Sequence, residues 1–256
     1  GGYEYIVASD SSAIVAHTNK AIDLEDETVV RLTRDSFRTT TVENVPVTTK
    51  LMELEVKLEQ IELGDFEHYM LKEIHEQPTV VRNALKDRID ENGLTADIFG
   101  KGADEIFKKV QHVQIIACGT SYHAGMTARY WLEQYANVSC NVEIASEFRY
   151  RKSVVHPNSL LITISQSGET ADTLAALRLA KELGYMSSLT ICNVQGSSLV
   201  RESDLAFMTR AGAEIGVAST KAFTTQLTAF LMLTLALGKE NGMTDADSKA
   251  IVSALH

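Results

Sequence analysis

The apolar run Leu160-Leu161-Ile162-Thr163-Ile164 breaks at once into Ser165-Gln166-Ser167-Gly168-Glu169-Thr170, and a helical pattern then runs to Leu183. A run that short, with almost no polar interruption, reads as a strand buried on both faces. The same order recurs along the chain. A strand over 113–117 leads through Cys118-Gly119-Thr120-Ser121 into a helix to about Tyr135, whose Ala124, Ala128, Trp131, Leu132 and Tyr135 share one face. Strands at 141–145, 188–192 and 205–208 follow the same logic, with a short helix through Phe148 and a long one over 220–237. Strands alternating with helices at this spacing require a parallel sheet covered on both faces, the α/β class.

The N-terminal part differs. Tyr5-Ile6-Val7-Ala8 reads as a short apolar strand, Asp10 as a cap on a helical turn over 11–17, and residues 21–24, 28–33 and 36–41 as further short strands. Phe66, Met70 and Ile74 repeat at helical spacing. Pro78 is expected to break that helix, with a second one over 80–89 ended by Asn92-Gly93. Helices are also expected over 103–111 and 245–255. The boundaries drawn are 1–60 (β-rich), 61–100 (helical connector), 101–240 (α/β domain) and 241–256 (start of a connection onward). Gly1 is no initiator Met and a strand pattern follows directly, so the sequence is expected to begin within a domain.

Composition narrows the partners. The formal net charge is −10, which disfavours nonspecific nucleic-acid binding and docking on anionic membranes. A small anion would need a local cradle of donors. Cys118, Cys140 and Cys192 are odd in number and lack metal spacing, so reduced thiols and a cytoplasmic setting are expected, with no metal. The apolar stretch at 227–237 is too short to span a membrane. No G-x-G-x-x-G or P-loop occurs, so no nucleotide cofactor is expected.

Open α/β sheets bind ligands at the carboxyl ends of their strands. Three such ends here are rich in hydroxyls: Gly119-Thr120-Ser121, residues 165–170, and Ala218-Ser219-Thr220. Each opens a helix, whose first N–H groups lack backbone partners and carry partial positive charge. With Ser and Thr hydroxyls they make an anion site without Arg or Lys. Residues 165–170 are the sharpest case: Ser165, Gln166, Ser167 and Thr170 supply donors, and Gly168 permits close approach. A single helix cap would need only one of them. Glu169 competes with an anion there, so it must point away or serve a neighbouring helix start. Lys221, in the first turn of a helix where a cation is disfavoured, is either a solvated surface lysine or meets an anion, the ligand or Glu214. Cys118, directly after a buried strand, reads as an inert thiol rather than a nucleophile, and Cys140 and Cys192 more so. The histidines form no shared motif.

Three strings, Cys118-Gly119-Thr120-Ser121-Tyr122, Glu143-Ile144-Ala145-Ser146-Glu147-Phe148-Arg149-Tyr150-Arg151 and Ser165-Gln166-Ser167-Gly168-Glu169-Thr170-Ala171-Asp172-Thr173, resemble the first sugar-isomerase (SIS) domain of the glutamine–fructose-6-phosphate amidotransferase family. Glu214-Ile215-Gly216-Val217-Ala218-Ser219-Thr220-Lys221 continues the resemblance, and residues 70–78 (MLKEIHEQP) look like the family's interdomain connector. The resemblance implies an SIS-type three-layer αβα sandwich with a five-stranded parallel sheet, preceded by the end of an N-terminal-nucleophile glutaminase domain. It implies that Ser165, Gln166, Ser167 and Thr170 hold a sugar phosphate, and that Thr120, Ser121, Val217 and Ser219 complete the sugar site.

The family forms glucosamine 6-phosphate from fructose 6-phosphate and ammonia released from glutamine, and is usually dimeric. Its glutaminase nucleophile is an N-terminal Cys, where this sequence has Gly1, and its isomerase groups lie in a second SIS domain. Recognition of the sugar phosphate is therefore expected here, with no catalytic residue assigned. Two other readings are an SIS-type sugar-phosphate sensor, which would usually carry a basic DNA-binding helix, and a plain sugar-phosphate isomerase, which would lack a glutaminase-like N-terminal part.

Overall fold

Continuity of apolar residues builds the sheet that the strand patterns require. In the computed structural model, which describes residues 4–8, 14, 17–22, 24–25, 27–53, 62–90 and 93–255, the chain divides into two units, Gly1–Asp65 and Phe66–His256.

The first unit contains two small antiparallel pairs. Strand β1 (Lys20–Ile22) pairs with β4 (Leu51–Glu53), and β2 (Thr28–Leu32) pairs with β3 (Phe37–Thr41). Strands β2 and β3 fall where the sequence pattern puts them, β1 overlaps the strand expected at 21–24, and β4 carries no pattern long enough to mark it. Residues 4–8 are not a strand: Tyr5, Ile6 and Val7 are exposed and have no ladder partner. The capped turn expected from Asp10 lies largely outside the described residues, as does Asn92.

The second unit opens with helix α1 (Tyr69–Leu85), which runs straight through Pro78. This corrects the expected break. Proline removes the N–H that would bond the Ile74 carbonyl. The Gln77 side-chain amide donates to that carbonyl instead, at 3.2 Å, so the orphaned acceptor is satisfied locally. A 3-10 turn (Ala96–Phe99) and a short helix α2 (Ala103–Phe107) lead into the sheet; α2 stops short of the expected 103–111.

The sheet has five strands: β5 (His112–Ala117), β6 (Ser139–Ile144), β7 (Ser159–Ser165), β8 (Ser187–Cys192) and β9 (Leu205–Met208). Their order is β6-β5-β7-β8-β9, all parallel. Every residue of β5, β7 and β8 is buried, while the edge strand β6 is half exposed. Side chains alternate between two layers. Val113, Ile115 and Ala117 pack on α3 (Gly119–Tyr135) and α7 (Lys221–Glu240) through Ala128, Leu132, Ala229 and Phe230. Ile116 and Leu161 face the other way. They meet α4 (Ala145–Phe148), α5 (Ala171–Leu183) and α6 (Ser198–Glu202) through Phe148, Ala176, Leu177 and Leu199. Helix α8 (Asp245–Leu255) covers Leu235 with Ile251 and Val252. The result is the three-layer αβα sandwich with a parallel sheet.

At the opposite edge of β5 from its loop, His112 is buried, with Nδ1 2.8 Å from Ser139 Oγ and its ring 4.7 Å from that of His156. Burial, and then the neighbouring His156, hold its pKa below the ordinary 6.5. The folded state therefore keeps His112 neutral at a pH where the unfolded chain takes up a proton. Stability is expected to be full above about pH 6.5 and to decline as pH falls below it. Urea unfolding between pH 7.5 and 5.5 checks this, and His112→Gln should flatten that part of the slope.

Candidate functional site

Strand order creates the crevice. From β5 the chain crosses over to β6, and from β7 it moves the other way to β8. The helices after β5 and β7 lie on opposite faces, so their N-termini diverge above a gap, the usual ligand position in open sheets. A cavity of about 250 Å³ fills this gap, lined by Cys118, Gly119, Thr120, Ser121, Ile164, Ser165, Gln166, Ser167 and Thr170.

Two helix starts face it. Cys118 and Thr170 occupy the cap positions of α3 and α5, and neither side chain makes a capping bond. The first N–H groups of both helices are thus left to a ligand or to water. The loop after β7 is held from behind. The Gly168 carbonyl accepts from Leu199 N–H at 3.1 Å, and the Gln166 carbonyl from Asn193 N–H at 3.3 Å. Glu169 points away and accepts from Ser198 N–H at 2.7 Å, capping the start of α6 as one of the two alternatives required. Gly168 has φ +72° and sits against Ser197 and Cys192.

On the cavity side, Ser165 Oγ accepts from Gly168 N–H and lies 3.0 Å from Thr170 Oγ1, while Ser167 Oγ accepts from Glu169 N–H at 3.2 Å. One hydroxyl of the Ser165–Thr170 pair donates to the other, so that pair keeps one proton for a ligand, and Ser167 Oγ, an acceptor here, keeps its own. Among the described residues that line it there is no Arg, Lys, carboxylate or histidine. The arrangement suits neutral-donor binding of an anion.

Six of the residues singled out in the sequence meet at this cavity: Thr120, Ser121, Ser165, Gln166, Ser167 and Thr170. Val217 and Ser219 do not line it. Val217 is fully exposed, and Ser219 donates to Glu214 Oε2 at 3.2 Å. Glu214 instead caps α7, accepting from Thr220 and Ala222 N–H at 2.9 and 3.0 Å. Lys221 is neither a surface lysine nor a partner of Glu214 or of the cavity. It is buried, with Nζ 2.6 Å from Glu76 on α1. Cys118 is half-buried on the cavity wall, less enclosed than a core thiol. Cys140 and Cys192 are buried, and burial pushes the Cys140 thiol up to about 12 and raises that of Cys192.

Two contributors escape a reading of the strand ends. Glu73 of α1 accepts from Ile215 and Gly216 N–H at 2.6 and 3.1 Å, tethering the loop before α7. Gln226 of α7 donates to Ser121 Oγ at 3.0 Å. A glutamine on the face shared by Ala222, Ala229 and Phe230 was a signal, since that stripe is otherwise buried and largely apolar.

The SIS domain profile matches residues 106–236. This chain belongs to the SIS domain family. It is 61% identical over 98% of its length to glutamine–fructose-6-phosphate aminotransferase (isomerizing) of Idiomarina loihiensis, and 58% identical over 99% to the enzyme of the same name from Vibrio parahaemolyticus. It spans 41% and 42% of those two relatives. Among solved structures, the C-terminal domain of glucosamine-fructose-6-phosphate aminotransferase from Francisella tularensis superposes with a TM-score of 0.72 at 56% identity, covering 75% of this chain and 54% of that one. The SIS fold and its parallel five-stranded sheet agree with the resemblance carried by the strand-end loops. Among the described residues no helix is long and apolar enough to cross a membrane.

Proposed function

We propose that this chain is the sugar-phosphate-recognition part of an isomerizing glutamine–fructose-6-phosphate aminotransferase, which makes glucosamine 6-phosphate from fructose 6-phosphate and glutamine. The observation that carries this reading is the cavity between β5 and β7, where two uncapped helix starts and the side chains of Ser165, Gln166, Ser167 and Thr170 converge without a cationic side chain. The phosphate sits at these donors, and Thr120 and Ser121 contact the same ligand. Val217 and Ser219 belong to the proposal only through the family resemblance. The reading extends to a cytoplasmic homodimer that uses no nucleic acid, membrane or added cofactor. Its support is the identity with aminotransferase relatives along nearly the whole chain, together with the acidic composition.

Calorimetric titration with fructose 6-phosphate or glucosamine 6-phosphate tests it. A hydrogen bond to a charged group contributes roughly 1.5–3 kcal/mol, so Ser167→Ala should weaken binding by roughly 10- to 100-fold. Its fold should survive, because among the described residues Ser167 Oγ makes only a local bond, to Glu169 N–H. Ser165→Ala should weaken binding at least as much, since Ser165 Oγ also anchors Gly168 and Thr170. If both variants are folded and bind as tightly as the parent, the phosphate lies elsewhere.

A further inference from the structure

We propose that Gln226 is a positioning residue for this anion site, acting through Ser121; the inference rests on the sugar-phosphate reading of the cavity. Gln226 lies in α7, 2% exposed, behind the cavity wall rather than on it. Its Nε2 donates to Ser121 Oγ at 3.0 Å, across 105 residues of sequence. Ser121 stands in the first turn of α3 and lines the cavity.

A serine hydroxyl has one proton and two lone pairs. In a helix its proton commonly turns back onto a backbone carbonyl one turn earlier, which would spend it away from a ligand. Among the described residues Ser121 Oγ makes no such bond, and Gln226 is its one hydrogen-bond partner. With the amide N–H occupying a lone pair, the hydroxyl proton is directed to the open side, where an anion would sit. Donation into the oxygen also polarises the hydroxyl and makes it a stronger donor.

The second observation is what Gln226 leaves unmet. Its Oε1 is buried with no hydrogen-bond partner among the described residues. A buried carbonyl without a partner is destabilising, so packing alone favours methionine or leucine at this position. The amide is explained by what its N–H does for Ser121.

Titration of fructose 6-phosphate into the parent chain, Gln226→Met, Ser121→Ala and the double variant tests this. Gln226→Met should weaken binding roughly 10-fold while thermal stability holds or rises. In the Ser121→Ala background the same change should cost nothing further, since its target is gone. Gln226→Glu should weaken binding more than Gln226→Met, because a carboxylate accepts the Ser121 proton and turns lone pairs toward the anion. Equal weakening by Gln226→Met with and without the Ser121 hydroxyl, or unchanged affinity, would overturn the inference.

Should Gln226→Met fail to fold, NMR on the parent chain decides. The Gln226 side-chain amide signals should shift on adding fructose 6-phosphate, and should not shift in Ser121→Ala. Ser167→Ala separates the two levels. Weakening there with no effect at Gln226 removes this inference alone. No weakening there, or a parent that does not bind, removes the site reading and this inference with it.

Discussion

Gly168→Ala is expected to lower the melting temperature by roughly 5–15 °C and to abolish measurable sugar-phosphate binding. Gly168 has φ +72°, a left-handed conformation that costs a residue with a Cβ about 1–2 kcal/mol. The added methyl would fall on Ser197 Oγ, 2.5 Å from Ser197 Cβ and 2.8 Å from Cys192 Sγ. Both neighbours are buried, so relief requires the loop to move, and overpacking adds about 1–3 kcal/mol. The loop that would move carries Ser165 and Ser167 on its other side. Losing two hydrogen bonds to a charged group weakens binding by roughly 100-fold or more.

Gly184→Ala is the control. Its φ is +85°, but nothing lies within 4 Å of its Cβ position, so it should show only the backbone cost and leave binding intact. Thermal melts and calorimetry on both variants check the contrast. Equal destabilisation would mean that the close approach to Ser197 does not matter.

Glu76→Leu is expected to destabilise the chain by about 3–5 kcal/mol, far more than Lys221→Met. The asymmetry follows from burial. The Lys221 side chain is 3% exposed and its Nζ lies 2.6 Å from Glu76 Oε2, whereas the Glu76 side chain is 28% exposed and has Lys72 Nζ 3.6 Å from its other oxygen. Removing the carboxylate strands an ammonium away from water. Removing the ammonium leaves a carboxylate with some solvent and a second cation. Replacing both members by apolar groups removes the stranded charge, so the double variant should recover most of the loss. Urea unfolding of the two single variants and the double variant decides this. If Lys221→Met proves the more damaging, the lysine has a role beyond this pair. Affinity for fructose 6-phosphate should be unchanged in Lys221→Met, because Lys221 serves the packing of α1 on α7 and not the cavity.

Much of the α/β unit was legible because its signals are local. A strand buried on both faces must be apolar at successive positions, which marks β7 and β8 almost to the residue. The polar stretches after β5 and β7 coincide with helix starts, which makes them visible as candidate ligand loops. The antiparallel pairs of the first unit were less legible. Tyr5-Ile6-Val7-Ala8 has the composition of a strand but no ladder partner, while Leu51–Glu53 is too short to show a period and pairs with β1 all the same. Pro78 shows a local rule overridden by a local compensation, since Gln77 fills the hydrogen bond that proline removes.

The sequence by itself determined the parallel sheet and the two hydroxyl-rich strand ends that form the cavity wall, because each is marked by residues a few positions apart; for Glu169 it left two alternatives, and the partner, Ser198 N–H, lies 29 residues on. Only the tertiary structure decided which distant side chains meet. Lys221 pairs with Glu76 across 145 residues, Glu73 holds the Ile215 amide across 142, and Gln226 reaches Ser121 across 105. It also placed Val217 and Ser219 outside the cavity that their neighbours in the resemblance form. The physical reason is that secondary structure follows near-neighbour periodicity and capping, whereas a charge or amide is satisfied by whichever partner packing brings within about 3 Å, and packing is settled only when whole helices find their faces on the sheet.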